Sequence, residues 1–367
     1  MVKIKDVIKH IECIAPPKLA QSWDNTGLLI GDGNSKIKKI LLTIDITAEV
    51  VKEAKKFGCN FIISYHPVIW DGLKKVLADS VVYDIIQSGI SVYSIHTALD
   101  AVKGGVNDGL AEMVGIKNPA PIGDWVETGQ KNYKLMFFVP VESLQKVADA
   151  VFKAGAGSIG NYSHCSFNTA GLGTFVPLEG SNPTIGKKGE LENVHEIKFE
   201  SIVPAEKVAD CVKAMKAAHP YEMPAFDVVK LYDVEDKIGL GRIGKLAKPT
   251  QLNAILKKIK SATGANIAGI VGPNKRLVKK AAVCAGSCSK LIMNVIAEGC
   301  DLYLTGEIKH HQAMAAAEAG MTVICLSHTV SERFILKKIA KELQKQIKDV
   351  KILTSKKDKD PFEWTKI

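Results

Sequence analysis

At 367 residues the chain exceeds what one ordinary hydrophobic core organises, so two or three compact units are expected. A hydrophobic share of 46% with 24% charged residues is that of a folded soluble chain and excludes a low-complexity or disordered one. The net charge of +10 is spread along the chain, and its densest run, Lys356-Lys357-Asp358-Lys359-Asp360, is broken by acids. The excess therefore reads as solvated helix faces rather than a nucleic-acid surface.

The first stripe, Ile4, Val7, Ile8 and Ile11, has helical spacing and reads as an amphipathic helix rather than a signal peptide. No apolar stretch is long enough to span a bilayer, so no membrane association and a cytoplasmic location are expected. Residues 1–125 then alternate strands (Lys39 to Ile44, Asn60 to Ser64, Ile90 to Ile95) with helices (Ala48 to Phe57, Asp79 to Gln87, Val106 to Met113). That rhythm predicts a mostly parallel sheet with right-handed crossovers, in which chemistry collects beyond the carboxyl ends of the strands. Two junctions stand out there: Ser64-Tyr65-His66-Pro67 and His96-Thr97-Ala98-Leu99-Asp100. Pro67 stops an immediate helix and holds His66 outward, while Asp100 is expected in a short loop before Gly104-Gly105. A structural His beside a turn and an Asp closing an Asx-turn are the plain alternatives.

Between 126 and 235 the pattern changes. A strand from Tyr133 to Val139, a helix from Val141 to Phe152, a short strand from Gly171 to Val176 and a strand from Val194 to Val203 follow one another. A helix from Ala205 to Ala217 and a strand from Ala225 to Leu231 complete the order β-α-β-β-α-β, the ferredoxin-like split motif. Such a unit closes on itself with its ends together, which suits insertion into another domain. Residues 236–367 resume the α/β rhythm and complete the core begun by 1–125. Gly239-x-Gly241-x-x-Gly244 precedes a strand-like segment and not a helix, so it is no dinucleotide fingerprint. Gly286-Ser287 is read as a tight turn, with anion binding by its amides as the alternative.

The apolar run Met321 to Leu326 predicts a buried strand, and His328 and Glu332 lie one helical turn apart just beyond it. An imidazole and a carboxylate on one face at a strand end can offer two ligands to a metal; a surface pair is the alternative. Thr305-Gly306-Glu307 closes another strand, with His311 on the following helix. The eight cysteines form no C-x-x-C pair; Cys284 and Cys288 are read as reduced thiols in a turn, consistent with a reducing compartment.

Taken together, several stretches resemble the Nif-three-like family of dinuclear-metal proteins, some of which are labelled type-two GTP cyclohydrolase homologues. They are Trp23-Asp24-Asn25-Thr26-Gly27-Leu28, Tyr65-His66-Pro67, His96 to Asp100, Gly104-Gly105-Val106-Asn107-Asp108, Thr305 to His311, His328 to Arg333 and Asp360-Pro361-Phe362. Gly160-Asn161-Tyr162 and His219-Pro220-Tyr221-Glu222 are similar to the PII/CutA-like insert of longer bacterial members. The resemblance implies a two-lobed α/β core, interrupted by an inserted ferredoxin-like, PII/CutA-like α+β domain, and a toroidal homohexamer. It also implies His66, Asp100, His328 and Glu332 as ligands of two divalent ions, with Glu332 as the bridge. Many members carry two adjacent histidines where this chain has Tyr65-His66, so His96 is a further ligand candidate and the second ion is the weaker expectation.

Nitrogen and oxygen ligands without thiolate suit zinc, which we expect, and also admit iron or manganese. A divalent ion can lower the pKa of water to about 7, which is hydrolase chemistry. Glu307 and His311 are the candidates for proton transfer or for orienting a ligand. The reading is a metal-dependent hydrolase of a small molecule or nucleotide; its alternative is a metal-stabilised hexameric scaffold without turnover.

Overall fold

A computed structural model of the chain describes residues 2–122, 132–231, 238–274 and 277–363. In chain order the strands are β1 (Gly27–Ile30), β2 (Lys39–Thr43), β3 (Phe61–Ser64), β4 (Ser91–Ser94), β5 (Asn132–Pro140), β6 (Ser166–Phe175) and β7 (Glu192–Pro204). They continue with β8 (Phe226–Lys230), β9 (Arg242–Gln251), β10 (Gly269–Val271), β11 (Leu277–Cys284), β12 (Leu302–Thr305), β13 (Thr322–Cys325) and β14 (Lys351–Thr354). Two compact units result, one from residues 2–122 with those described between 238 and 363, the other from residues 132–231.

The larger unit holds two five-stranded sheets. One has the order β1-β4-β3-β2-β14, parallel throughout except for the antiparallel edge β1. The other has the order β10-β13-β12-β11-β9, with three parallel strands between two antiparallel edges. Their central strands read as continuous apolar runs because both faces are covered. In β2, Ile40 and Leu42 enter one core while Leu41 enters another with Val50, Val51 and Ile62. Helix Val106–Val114 begins after Gly105 and ends at Gly115, whose φ of 92° is the left-handed stop that glycine provides. Its Leu110 and Val114 share a single core with Ile255, Val278 and Val283 of the second sheet's elements.

Arg242 fastens the two halves of this unit. It is 3% exposed and donates to Asp108, Gly239 O, Gly241 O, Ala101 O and Val102 O. A guanidinium can be buried only where its fork of donors is met in this way. Here the Gly239–Gly244 segment opens β9, a strand, as its sequence context required.

Several details differ from expectation. Asp100 lies on a short helix, His96–Ala101, and not in a loop, because the chain turns helical directly after β4 with Ile95 already in the α region. The last strand, β14, returns to pair with β2 of the first sheet, and Asp358 accepts from Ile44 N at 3.0 Å. Cys284 and Cys288 are joined to each other, so the reading of both as free thiols is corrected. Three intervening residues of turn bring their Cα atoms to 6.1 Å, within disulfide reach. No helix among the described residues is long and apolar enough to cross a membrane.

The smaller unit follows the order β-α-β-β-α-β, with an antiparallel sheet β6-β7-β5-β8. Helices Leu144–Lys153 and Val208–Ala218 cover one face, over Phe137 stacked on Phe199 at 4.6 Å between ring centroids.

Candidate metal centre

The two parallel sheets bring their carboxyl ends to one place. Ile44-Asp45 follows β2, Tyr65-His66 follows β3, His96 follows β4, Gly286 follows β11, Glu307 follows β12 and His328 follows β13. Ligand atoms of His66, His328 and Glu332 all lie within 4.8 Å of one another. His328 Nε2 stands 3.2 Å from Glu332 Oε1, and His66 Nε2 stands 3.4 Å from Glu332 Oε2. The helix His328–Arg333 supplies the i,i+4 pair as its spacing predicts. The backbone before it is bent: Ser327 has a φ of 77°, a conformation costly for any residue with a Cβ.

Each of three histidines is held through Nδ1 by a carboxylate. Asp45 Oδ1 lies 2.9 Å from His66, Asp24 Oδ1 lies 2.8 Å from His96, and Glu307 contacts His328 directly. Such pairs fix the tautomer and leave Nε2 as the nitrogen available to a metal. His66 and His96 have their rings 5.1 Å apart, and His66 and His328 have theirs 5.3 Å apart. Asp24 also accepts from Thr97 N at 3.1 Å, which seats the start of helix His96–Ala101. Asp100 accepts a hydrogen bond from the buried Tyr65 hydroxyl. So His66, His328 and Glu332 converge, with His96 and Asp100 beside them. Glu307 touches the group through His328, whereas exposed His311 sits ring to ring with His310 at 5.4 Å.

The electrostatics suit a cation. Glu332 is 3% exposed, and its buried Oε2 has no hydrogen-bond partner among the described residues. Burial and the nearby Glu332 raise Asp100 to about 6. Burial opposes a charge on His66 and His328, but their carboxylate partners outweigh it, raising His66 and bringing His328 to about 9. Burial likewise opposes ionisation of Asp24, yet His96 and Thr97 hold its pKa below the usual value. Clustered buried carboxylates cost several kcal/mol unless positive charge offsets them, and a divalent ion supplies it. Gly286 leaves room for that charge. A Cβ there would lie 2.5 Å from Glu332 Oε1 and 3.0 Å from His328 Nε2. Trp23 and Trp70, 62% and 52% exposed, border His96 at ring distances of 5.8 and 5.3 Å.

Asp45 was not singled out in the sequence, although the same strand-end rule that marks His66 would have found it after β2. In the sequence Asp24 stands out only as part of Trp23-Asp24-Asn25. Its role on His96 depends on a contact 72 residues long that periodicity does not reveal.

The Duf34/NIF3 (NGG1p interacting factor 3) family profile matches residues 2–361. A Halalkalibacterium halodurans protein named GTP cyclohydrolase 1 type 2 homolog is 37% identical over 366 residues, 98% of each chain. A Bacillus subtilis protein of the same name is 34% identical over 368 residues, again 98% of each. The crystal structure of a Bacillus cereus protein related to NIF3 covers 99% of each chain, with a TM-score of 0.67 at 35% identity.

Proposed function

The chain belongs to the Duf34/NIF3 family, and from that premise we propose that it is a metal-dependent hydrolase with a dinuclear centre acting on a small molecule. The observation that carries this reading is the pair of carboxylate-held histidines, His66 and His328, against a buried Glu332 whose Oε2 has no hydrogen bond among the described residues, with carboxylate-held His96 beside them. His66, His328 and Glu332 would hold the first ion, and His96, Asp100 and a shared Glu332 the second. Because Tyr65 donates to Asp100, we propose that the sites fill in that order. The donor set has no thiolate, and zinc is the ion we propose, with iron or manganese as substitutes. When bound, such an ion supplies Lewis acidity to an oxygen-bearing substrate and activates water.

The chain's own groups do the rest. Asp45, Asp24 and Glu307 are positioning residues that keep the imidazole Nε2 atoms aimed. Asp100, whose carboxylate accepts from Tyr65, would be an ionised ligand of the second ion. His311, which follows β12 with Glu307, is kept as a proposed proton carrier on the sequence argument. Trp23 and Trp70 present aromatic surface beside the ligands, which suits an organic substrate with a flat or apolar face.

We read residues 126–235 as a ferredoxin-like, PII/CutA-like domain inserted between core halves 1–125 and 236–367, in view of the antiparallel order β6-β7-β5-β8. A homohexamer and a cytoplasmic location belong to the same proposal, and light scattering giving the mass of six chains tests the first. The name of the relatives makes a guanine nucleotide the first compound to assay. Zinc- or manganese-loaded protein should hydrolyse at least one compound of a nucleotide and phosphoester panel, and Glu332→Gln should lose both metal and turnover. Metal-dependent turnover persisting in Glu332→Gln would overturn the proposal.

A further inference from the structure

The motif His219-Pro220-Tyr221-Glu222 has no part in the metal centre, yet its side chains are set with care. His219 Nε2 donates to Phe138 O at 2.9 Å, and its Nδ1 accepts from Tyr221 N at 3.1 Å. Both ring nitrogens are thereby used, the tautomer is fixed, and burial lowers the pKa so that the ring stays neutral. The consequence is to place Tyr221, whose ring meets His219 at 5.1 Å and Phe175 at 6.0 Å. Its hydroxyl is buried beside the Glu196 carboxylate.

Tyr221 lines a cavity of about 600 Å³, a size that suits a small organic ligand. The cavity occupies the face of the smaller unit's sheet opposite its two helices. Strand alternation explains this: Phe137 and Phe199 enter the helix-covered core, so Phe138, Glu196 and Lys198 rise on the other face. Gly171 and Gly173 of β6 leave the floor without side chains, and Glu196 lies over Gly173, where a Cβ would meet Oε2 at 2.1 Å. A roof from the 177–185 segment is tied down by Asn182 N to Glu222 Oε1 at 3.0 Å and Thr184 Oγ1 to Pro220 O at 2.7 Å. The walls are mostly apolar, including Leu172, Phe175, Pro183 and Ile185, with Thr169, Thr174 and Ser181 among them.

Charge selects among ligands. Lys198 pairs with Glu200 at 3.3 Å, which offsets part of its charge at the cavity rim. Glu196 has no basic partner among the described residues, and burial together with this carboxylate pushes the Tyr221 phenol well above its ordinary range. A carboxylate in a largely apolar slot, backed by a phenol, recognises a donor-bearing cation. We propose that this cavity is a second ligand site, independent of the metal centre, for a small molecule with a flat apolar body and a protonated amine bound to Glu196, with Tyr221 holding that carboxylate in place.

The test uses the full chain and two probes of like shape and opposite charge, tryptamine and indole-3-acetate, titrated by calorimetry and saturation-transfer NMR. Tryptamine should bind saturably at one site per chain, at least about tenfold tighter than indole-3-acetate, as expected for a charge-assisted bond. Glu196→Gln should weaken it about ten- to hundredfold. Gly171→Leu should abolish it without harming the fold, since an added Cβ at Gly171 meets nothing within 4 Å. Stripping metal with EDTA should leave binding unchanged. Absence of saturable tryptamine binding, equal affinity for the anion, or affinity unaltered by Glu196→Gln and Gly171→Leu would overturn the proposal.

Discussion

Gly286→Ala separates a metal site from a chance cluster of polar side chains, because another glycine provides its control. Gly286 has a φ of 63° and Gly58 a φ of 69°, so alanine incurs the same left-handed penalty, about 1 kcal/mol, at either place. At Gly58 the new methyl group meets nothing within 4 Å, whereas at Gly286 it would sit 2.5 Å from Glu332 Oε1 and 3.0 Å from His328 Nε2. Contacts that short cannot persist, so at least one ligand must move by several tenths of an ångström. Gly58→Ala should therefore melt about 2–4 °C lower when metal-free, the shift that about 1 kcal/mol produces in a unit of this size, and Gly286→Ala at least as much lower. Zinc affinity, measured by competition with a chromogenic chelator, should fall at least about 10- to 100-fold in Gly286→Ala, as when ligand geometry is disturbed elsewhere. In Gly58→Ala it should not change. Equal zinc affinity in the two variants would refute the reasoning, since only one of them intrudes on the ligands.

Asp45→Asn should weaken zinc binding about 10- to 100-fold with little effect on folding, because it removes the charge that orients His66; unchanged affinity would contradict that role. The metal-free protein should lose stability as pH rises. His328, raised from 6.5 to about 9, contributes stability fully below 6.5 and loses it as pH climbs through 9. Asp100, raised from 3.8 to about 6, acts in the same sense between those values. Melting curves with zinc and with EDTA should accordingly diverge as pH rises from about 5 to 9, and a constant gap would argue against these groups as ligands. Arg242→Met should destabilise the larger unit by about 3–5 kcal/mol in urea titrations, since it removes the charge paired with Asp108 and the donors to the Gly239, Gly241 and Ala101 carbonyls; a loss under about 1 kcal/mol would show that the guanidinium contributes little.

The sequence makes the site legible where chemistry coincides with strand ends. Buried runs such as Phe61–Ser64 and Thr322–Cys325 announce parallel strands, and His66 and His328 follow them directly. The i,i+4 spacing of His328 and Glu332 is a local property and survives intact in the helix. Partners across long separations are not legible in that way. Asp24 reaches His96, and Asn107 Oδ1 accepts from Ala285 N across 178 residues, through packing that no local pattern encodes. The return of β14 to the first sheet is hidden for the same reason: Lys351–Thr354 is four residues long and half-exposed, too weak a period to name its neighbour. Asp100 was misplaced in a loop because glycines at 104 and 105 suggest a turn, while helix His96–Ala101 is set by the Asp24 contacts to His96 and Thr97.

The central claim is that His66, His328 and Glu332 hold a divalent ion. Anomalous diffraction from crystals grown with zinc, collected above and below the zinc edge, tests it most directly. The account predicts a peak about 2.0–2.2 Å from Nε2 of both histidines and from a Glu332 oxygen. Zinc found elsewhere on the chain, with those three side chains still paired only to one another, would contradict it.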